Sequence, residues 1–312
     1  MKLARAVENY IEHKRSLGML FRSQTVILRG FAKAQGAIDI ARVSPAATRK
    51  FLDGRGPVTH SWFGKFGTLN GFYRFSLARH YVTQSPLPSS KPQPPEDFHP
   101  YIYTDEDMRR LIDAAQCKRD RWLIEPHTLQ VLLLLLYGTG LRISEALNLT
   151  LADFDLNAGV FTIRESKFYK SRFVPVGPDL HDIVRRYIAQ QWPAGCISAT
   201  TPLLATRRAT PIVRRTAEGV FQCLRKEACI SRPGGPRNQP RLHDMRHTFA
   251  TLRLVTWYRE GKNVQRLLPH LSTDLGHYKI RHTQRYLTMT TELLQEASLC
   301  FERYATPEVF HA

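Results

Sequence analysis

Apolar positions in the first 85 residues recur at the three- and four-residue spacing of helices that bury one face. "AVENYIEHKRSLG" closes on the glycine stop at Gly18, "SQTVILRGFAKAQ" follows, and "SPAATRKFLDG" offers Ser44 as a cap with Pro45 in the first turn. A further helix runs through "HSWFGKFGTLNGFYRFSLARHYV", so this part of the chain predicts four or five short helices. Beyond residue 100 the helical period returns. "YTDEDMRRLIDAA" sets Thr104 before three acidic residues, the favourable sign at a helix N-terminus. "TLQVLLLLLYGTG" reads as a buried helix, and "LRISEALNLTLADF" turns Leu141, Ala146 and Leu147 inward with Arg142 and Glu145 sharing another face. The period then changes. "GVFTIRESKFYKSRFVPVG" contains two β-rich runs, Val160 to Ile163 and Phe173 to Val176, joined by a polar connection carrying Lys167, Lys170 and Arg172. In "RLHDMRHTFAT" the residues Leu242, Met245 and Phe249 form an apolar stripe, with His243, Arg246 and His247 off it. The fold class predicted is mainly α with a small β-sheet.

The clearest break is "TQSPLPSSKPQPPEDFHP", where six prolines exclude the interior of a helix or a strand. It divides the chain into a helical domain over 1–85, a linker over 86–100 and a second, α+β domain over 101–312. A chain of 312 residues with 43% hydrophobic content has material for two cores. Charge narrows the class of partner. Lys and Arg outnumber Asp and Glu by 45 to 27, a net charge of +18, which points to a polyanion. Nucleic acid comes before a membrane surface, because the apolar run from Val131 to Tyr137 is far short of the roughly twenty residues a membrane span needs. The N-terminal stretch lacks the pattern of a secretory signal, which gives a cytoplasmic, nucleoid-associated reading. Five cysteines without a CxxC pair support neither a disulfide framework nor a zinc site. Between Trp62 and Arg79 the aromatic rings are read as core, while Lys65, Arg74 and Arg79 are read as contacts to DNA phosphates, as are Lys170 and Arg172.

Four ordered motifs carry the chemistry: "GTGLRISEAL", "SKFYKSRFVPV", "HDMRHTFAT" and "LGHYKIRHTQRYL". Together they resemble the tyrosine recombinase (phage integrase) family. The resemblance covers nearly all of residues 101 to 312, and it implies a helical core-binding domain preceding a catalytic domain. Carried over residue by residue, the family's catalytic set falls on Arg142, Lys167, His243, Arg246, His277 and Tyr286, with Glu145 bracing the site. The resemblance further implies double-stranded DNA as partner, a homo- or hetero-tetramer of recombinase protomers on it, two domains clamping the duplex, and no cofactor or metal. A C-terminal segment carrying Leu293, Leu294, Ala297 and Phe301 would pack either in cis or on a neighbouring protomer. The phosphodiester explains the residue types. Two permanently charged guanidiniums suit the charge that develops on the non-bridging oxygens, and a tyrosine can attack phosphorus once its proton is removed. His243 is the candidate base, and Lys167 the candidate acid for the departing 5′-oxygen. "SKFYKSR" lacks the glycines usual in the family's hairpin turn, which leaves Lys170 open as the alternative. Pro269 and the longer approach to His277 suggest a transposon or mobile-element branch. Two other readings stand beside a recombinase: a non-catalytic DNA-binding relative, and a type IB topoisomerase.

Overall fold

The computed structural model describes residues 1–95, 99–117, 122–164, 171–192, 198–277, 279–288 and 292–299. The chain divides into two compact units, Met1–Asp97 and Phe98–Ala312.

The first unit holds four helices, α1 (Leu3–Ser16), α2 (Arg22–Gln35), α3 (Pro45–Asp53) and α4 (His60–Ala78). The Ser44 side chain accepts from the Ala47 N–H at 3.1 Å and caps α3, with Pro45 in the first turn. α4 turns Trp62, Leu69, Phe72 and Tyr73 inward against Leu3, Val7 and Ile11 of α1 and Leu28 and Phe31 of α2. Its aromatic residues therefore build the core of this unit, with Trp62 and Phe66 stacked at 5.3 Å.

In the second unit, α5 (Asp105–Gln116) starts at a reciprocal cap between Thr104 and Asp107. α6 (Pro126–Thr139) is apolar on all sides and buried through Leu129, Leu132, Leu133, Leu135 and Leu136. A short α7 (Ile143–Leu147) leads to β1 (Phe154–Asp155), β2 (Val160–Ile163) and β3 (Arg172–Pro175), which form an antiparallel sheet in the order β1-β2-β3. The two-residue β1 was not apparent in the sequence pattern. β2 matches the predicted run, and β3 begins one residue earlier than its predicted counterpart. Then come α8 (Pro178–Gln191), α9 (Arg214–Glu227), α10 (Asp244–Arg259), α11 (Val264–Asp274) and α12 (Arg281–Gln284), followed by a 3-10 turn over Arg285–Thr288. Residues 292–299 are helical; Leu293 joins Leu254, Leu268, Leu271 and Tyr286 in one cluster of the same chain, while Leu294 and Leu299 are exposed. Phe301 lies outside the described residues. Among the described residues, no helix is long and apolar enough to cross a membrane.

Candidate active site

The site is assembled where the ends of α6 and α11, the start of α7 and the first residue of β3 meet α10. α6 stops at Gly140, which adopts φ +62°, and a Cβ there would lie 2.4 Å from Phe249 Cδ1 of α10. Only glycine allows both the left-handed turn and the close approach. Two residues later Arg142 precedes α7, whose third residue is Glu145. The Glu145 carboxylate accepts from the Arg142 backbone N–H at 2.9 Å and from its guanidinium at 2.6 Å.

α11 ends in a turn whose three successive carbonyls would be left without partners at a helix C-terminus. Each is met by a different arginine. The Asp274 carbonyl accepts from Arg172 Nε at 2.8 Å, the Leu275 carbonyl from Arg246 Nη2, and the Gly276 carbonyl from Arg142 Nη2 at 2.8 Å. Arg246 also donates to the Gly140 carbonyl at 2.7 Å. The negative end of the α11 dipole adds to the attraction. Arg142 and Arg246 are thereby fixed side by side, each with N–H groups left over from these bonds.

One sequence expectation is corrected here, that for Arg172. Arg246, though off the apolar stripe, is only 3% exposed, because α10 buries most of its circumference, including Thr248, Thr251, Leu254 and Val255. Burial, and then the nearby Arg142 charge, lower its pKa to about 10, so it stays protonated at neutral pH. Arg172 is not a surface contact for a DNA phosphate. It pairs with Ile163 of β2 and shares the buried face of β3 with Val174, and its guanidinium holds Glu145 at 2.8 and 3.1 Å. Burial of the Glu145 carboxyl works to raise its pKa, but the hydrogen bond and charge of Arg172, with those of Arg142, outweigh it and hold the group at about 2.

His277 follows Gly276, and its Nδ1 is 2.8 Å from the Thr283 hydroxyl of α12. Its ring lies parallel to that of Tyr286, 6.1 Å between centroids and 15° between planes. The Tyr286 phenol is buried; burial raises its pKa, while the neighbouring Arg246 and Arg285 guanidiniums favour the phenolate. His247, a residue not singled out for a role in the sequence, packs 5.5 Å from the Tyr286 ring and 5.1 Å from the His243 ring, and its buried Nδ1 has no hydrogen-bond partner among the described residues. The signal was present in the motif, one residue after Arg246, but a histidine off the apolar stripe looks like a solvated one. All three imidazoles are held neutral at pH 7. Burial, then the Arg246 charge, lowers His277 to about 3; burial, then His243 and Arg246, lowers His247 to about 3. His243 is the most exposed of the three, yet partial burial, with Arg246 and Arg241, lowers it to about 4.

Lys167 and Lys170 lie outside the described residues. In the first unit Arg74 and Arg79 are exposed, Arg79 lying over the Phe75 ring at 5.1 Å. Lys65 differs: its ammonium donates to the Phe51 carbonyl at 3.0 Å and closes the end of α3. A groove of about 980 Å3 between α9 and the start of α10 opens beside His243, with Arg214, Lys226 and Arg241 on its walls.

Comparison with known proteins gives the family and the fold. The model of the phage integrase family matches residues 102–292. The chain is 37% identical over 308 residues to y4rB of Sinorhizobium fredii (strain NGR234), named an integrase/recombinase, covering 96% of each. It is 29% identical over 237 residues to the tyrosine recombinase XerC of Staphylococcus carnosus, covering 75% of this chain and 73% of that one. Among solved structures, the Tn1549 transposon integrase in complex with transposon right end DNA superposes with a TM-score of 0.70 at 18% identity, over 98% of this chain and 100% of that one. A lambda integrase dimer bound to a core site gives 0.69 at 15% identity, over 93% and 78%.

Proposed function

The chain belongs to the phage integrase family, and from that premise we propose that it is a site-specific recombinase of a mobile element, cutting and rejoining double-stranded DNA through a covalent 3′-phosphotyrosyl intermediate. The observation that carries this reading is the convergence of Arg142, Arg246, His277 and Tyr286, from three separate stretches of sequence, around the turn over residues 274–276.

Arg142 and Arg246 bind the non-bridging oxygens of the scissile phosphate with their remaining N–H groups and stabilise the charge of the pentavalent transition state. Losing one such preorganised donor raises the barrier by roughly 3 to 4 kcal/mol. The Tyr286 oxygen attacks phosphorus, the P–O5′ bond breaks, and the 5′-oxygen leaves as a hydroxyl. His243, neutral and next to the phosphate clamp, takes the phenol proton, and Lys167 or Lys170 supplies the proton to the 5′-oxygen. His277, its Nδ1 engaged by Thr283, turns Nε2 toward a phosphate oxygen. Attack by a 5′-hydroxyl from a partner strand reverses these steps and releases the tyrosine. The bond energy is kept throughout in the phosphotyrosyl link, so the cycle balances without a nucleotide or an oxidant.

Arg74 and Arg79 in the first domain (1–85, joined by the 86–100 linker) and Arg214 and Lys226 beside the groove in the second (101–312) contact the backbone of one duplex. The affinity that results is salt-dependent. The relatives include a lambda integrase tetramer bound to a Holliday junction, and strand exchange by this chain calls for the same number of protomers on DNA, acting at the nucleoid. Covalent trapping tests the reading. Wild type and Tyr286→Phe are incubated with fragmented DNA from the source genome, denatured, and protein-linked ends are sequenced. Adducts from the wild type alone that share one sequence motif support the recombinase. Adducts scattered without a motif would favour a topoisomerase, and DNA binding without any adduct a non-catalytic relative.

A further inference from the structure

Resting on the recombinase reading, we propose that Arg172 is a positioning residue for strand cleavage: a buried guanidinium that holds Arg142 and the turn before His277 in the geometry the phosphate requires. Its side chain is 6% exposed, and what sets it apart from the equally buried Arg246 is its partner, a carboxylate gripped through both terminal nitrogens. All three of its nitrogens are engaged. Nη1 and Nη2 grip the two oxygens of Glu145, and Nε holds the Asp274 carbonyl.

Glu145 is the shared centre. Each of its oxygens accepts twice, Oε1 from the Arg142 and Arg172 guanidiniums and Oε2 from the Arg142 backbone and Arg172. One carboxylate between two guanidiniums leaves a net positive charge, and Arg142, 25% exposed, is the one with room to offer it to an anion. Without Arg172 the whole carboxylate would fall to Arg142, which would turn toward Glu145 and away from the phosphate. The second contact acts on the other side. Arg172 fixes the Asp274 carbonyl, Arg142 the Gly276 carbonyl two residues on, and His277 follows directly. The fit is close: a Cβ on Gly276 would lie 2.9 Å from Arg172 Nη1 and 3.3 Å from Arg142 Nη1. Arg172 also opens β3, directly after the hairpin connection that carries Lys167 and Lys170. One side chain thus ties together the two segments that bear the first arginine and the second histidine.

The planar fork is what the position uses, and lysine cannot reproduce it. The test is single-turnover cleavage of a nicked duplex bearing the trapped target site, with the full-length chain as wild type, Arg172→Lys, Arg172→Met, Glu145→Gln and the Arg172→Met/Glu145→Gln double variant. DNA affinity and melting temperature are measured alongside. Cleavage at saturating DNA falls roughly 10- to 100-fold in Arg172→Lys, the loss that misplacement of about an ångström produces, while its DNA affinity and salt dependence match the wild type. Because both residues act as one unit, the double variant is no slower than the slower single variant. If Arg172→Met does not fold, Arg172→Lys decides the matter. Wild-type cleavage rates in a folded Arg172 variant overturn the proposal. So does a variant that cuts normally at saturating DNA but binds with a salt slope smaller by about one, the signature of a lost phosphate contact. A wild-type chain that forms no phosphotyrosyl adduct removes the recombinase reading, and this proposal with it; a wild-type adduct with unchanged Arg172 variants removes this proposal alone.

Discussion

Arg142 donates to the carbonyl of Gly276 at 2.8 Å, across 134 positions of sequence. This bond joins the start of α7 to the end of α11, and it brings the first arginine of the site next to its second histidine. Gly276 adopts φ +60°, where a side chain is strained whatever the space, and both Arg142 and Arg172 crowd the place a Cβ would take. Gly276→Ala is expected to fold, with roughly 1 to 2 kcal/mol of strain, and to cut at least tenfold more slowly at unchanged DNA affinity. Single-turnover cleavage beside a melting curve checks this; full activity would show that the turn tolerates displacement.

Arg142 and Arg246 should respond differently to the same conservative change. Arg246 is buried, and both Gly140 and Leu275 rely on it for their carbonyl hydrogen bonds. Lysine leaves one of those acceptors unsatisfied, which costs roughly 1 to 3 kcal/mol. Arg246→Lys is therefore expected to lower the melting temperature by several degrees as well as suppress adduct formation. Arg142→Lys, on a partly exposed side chain, should suppress adduct formation with a smaller effect on melting. Equal melting temperatures for the two variants would contradict the burial argument.

Tyr286 sits in a cluster with Leu254, Leu268, Leu271 and Leu293, and its ring does the packing. Phenylalanine keeps that ring. Tyr286→Phe should thus retain the fold and DNA affinity while abolishing the covalent adduct, whereas Tyr286→Ala should lose roughly 3 to 5 kcal/mol of stability through the cavity it leaves. Chemical unfolding of both variants separates the packing role of the ring from the chemical role of its hydroxyl.

These residues were not equally legible in the sequence. Arg142, His277 and Tyr286 stood out because each lies in a motif beside a glycine turn or a polar helix, and the turns at Gly140 and Gly276 are where the structure brings them together. Arg172 was misread because Phe173 and Val174 are both apolar, so alternation along β3 does not say which face is inward; pairing with Phe161 and Ile163 decides it, and pairing is not written in the strand itself. The burial of Arg246 was hidden by a different effect. Its helix has an apolar stripe, but small residues on the remaining faces let neighbouring elements close around it, a matter of tertiary packing rather than period. Helix caps, being local, were readable at Ser44 and Thr104.

Acid should weaken this fold, and the sign follows from the histidines. An imidazole in the unfolded chain titrates near its ordinary value of 6.5, whereas His247 and His277 are held at about 3 in the folded state. Between these values the unfolded chain binds more protons, so stability is fully present near neutrality and declines as pH falls from about 7 toward 3. Glu145 acts in the same direction over a lower window, from its ordinary 4.5 down to about 2, because its folded pKa is depressed by Arg172 and Arg142. Melting temperature is thus expected to drop steadily between pH 7 and pH 5, and less steeply in His277→Gln and in His247→Gln. Duplex DNA bearing the target site should also flatten the dependence, since a phosphate beside Arg142 and Arg246 offsets the positive charge that adds to burial in keeping these imidazoles neutral. A pH slope identical in the wild type and both variants would show that the two rings are not the groups that take up the protons.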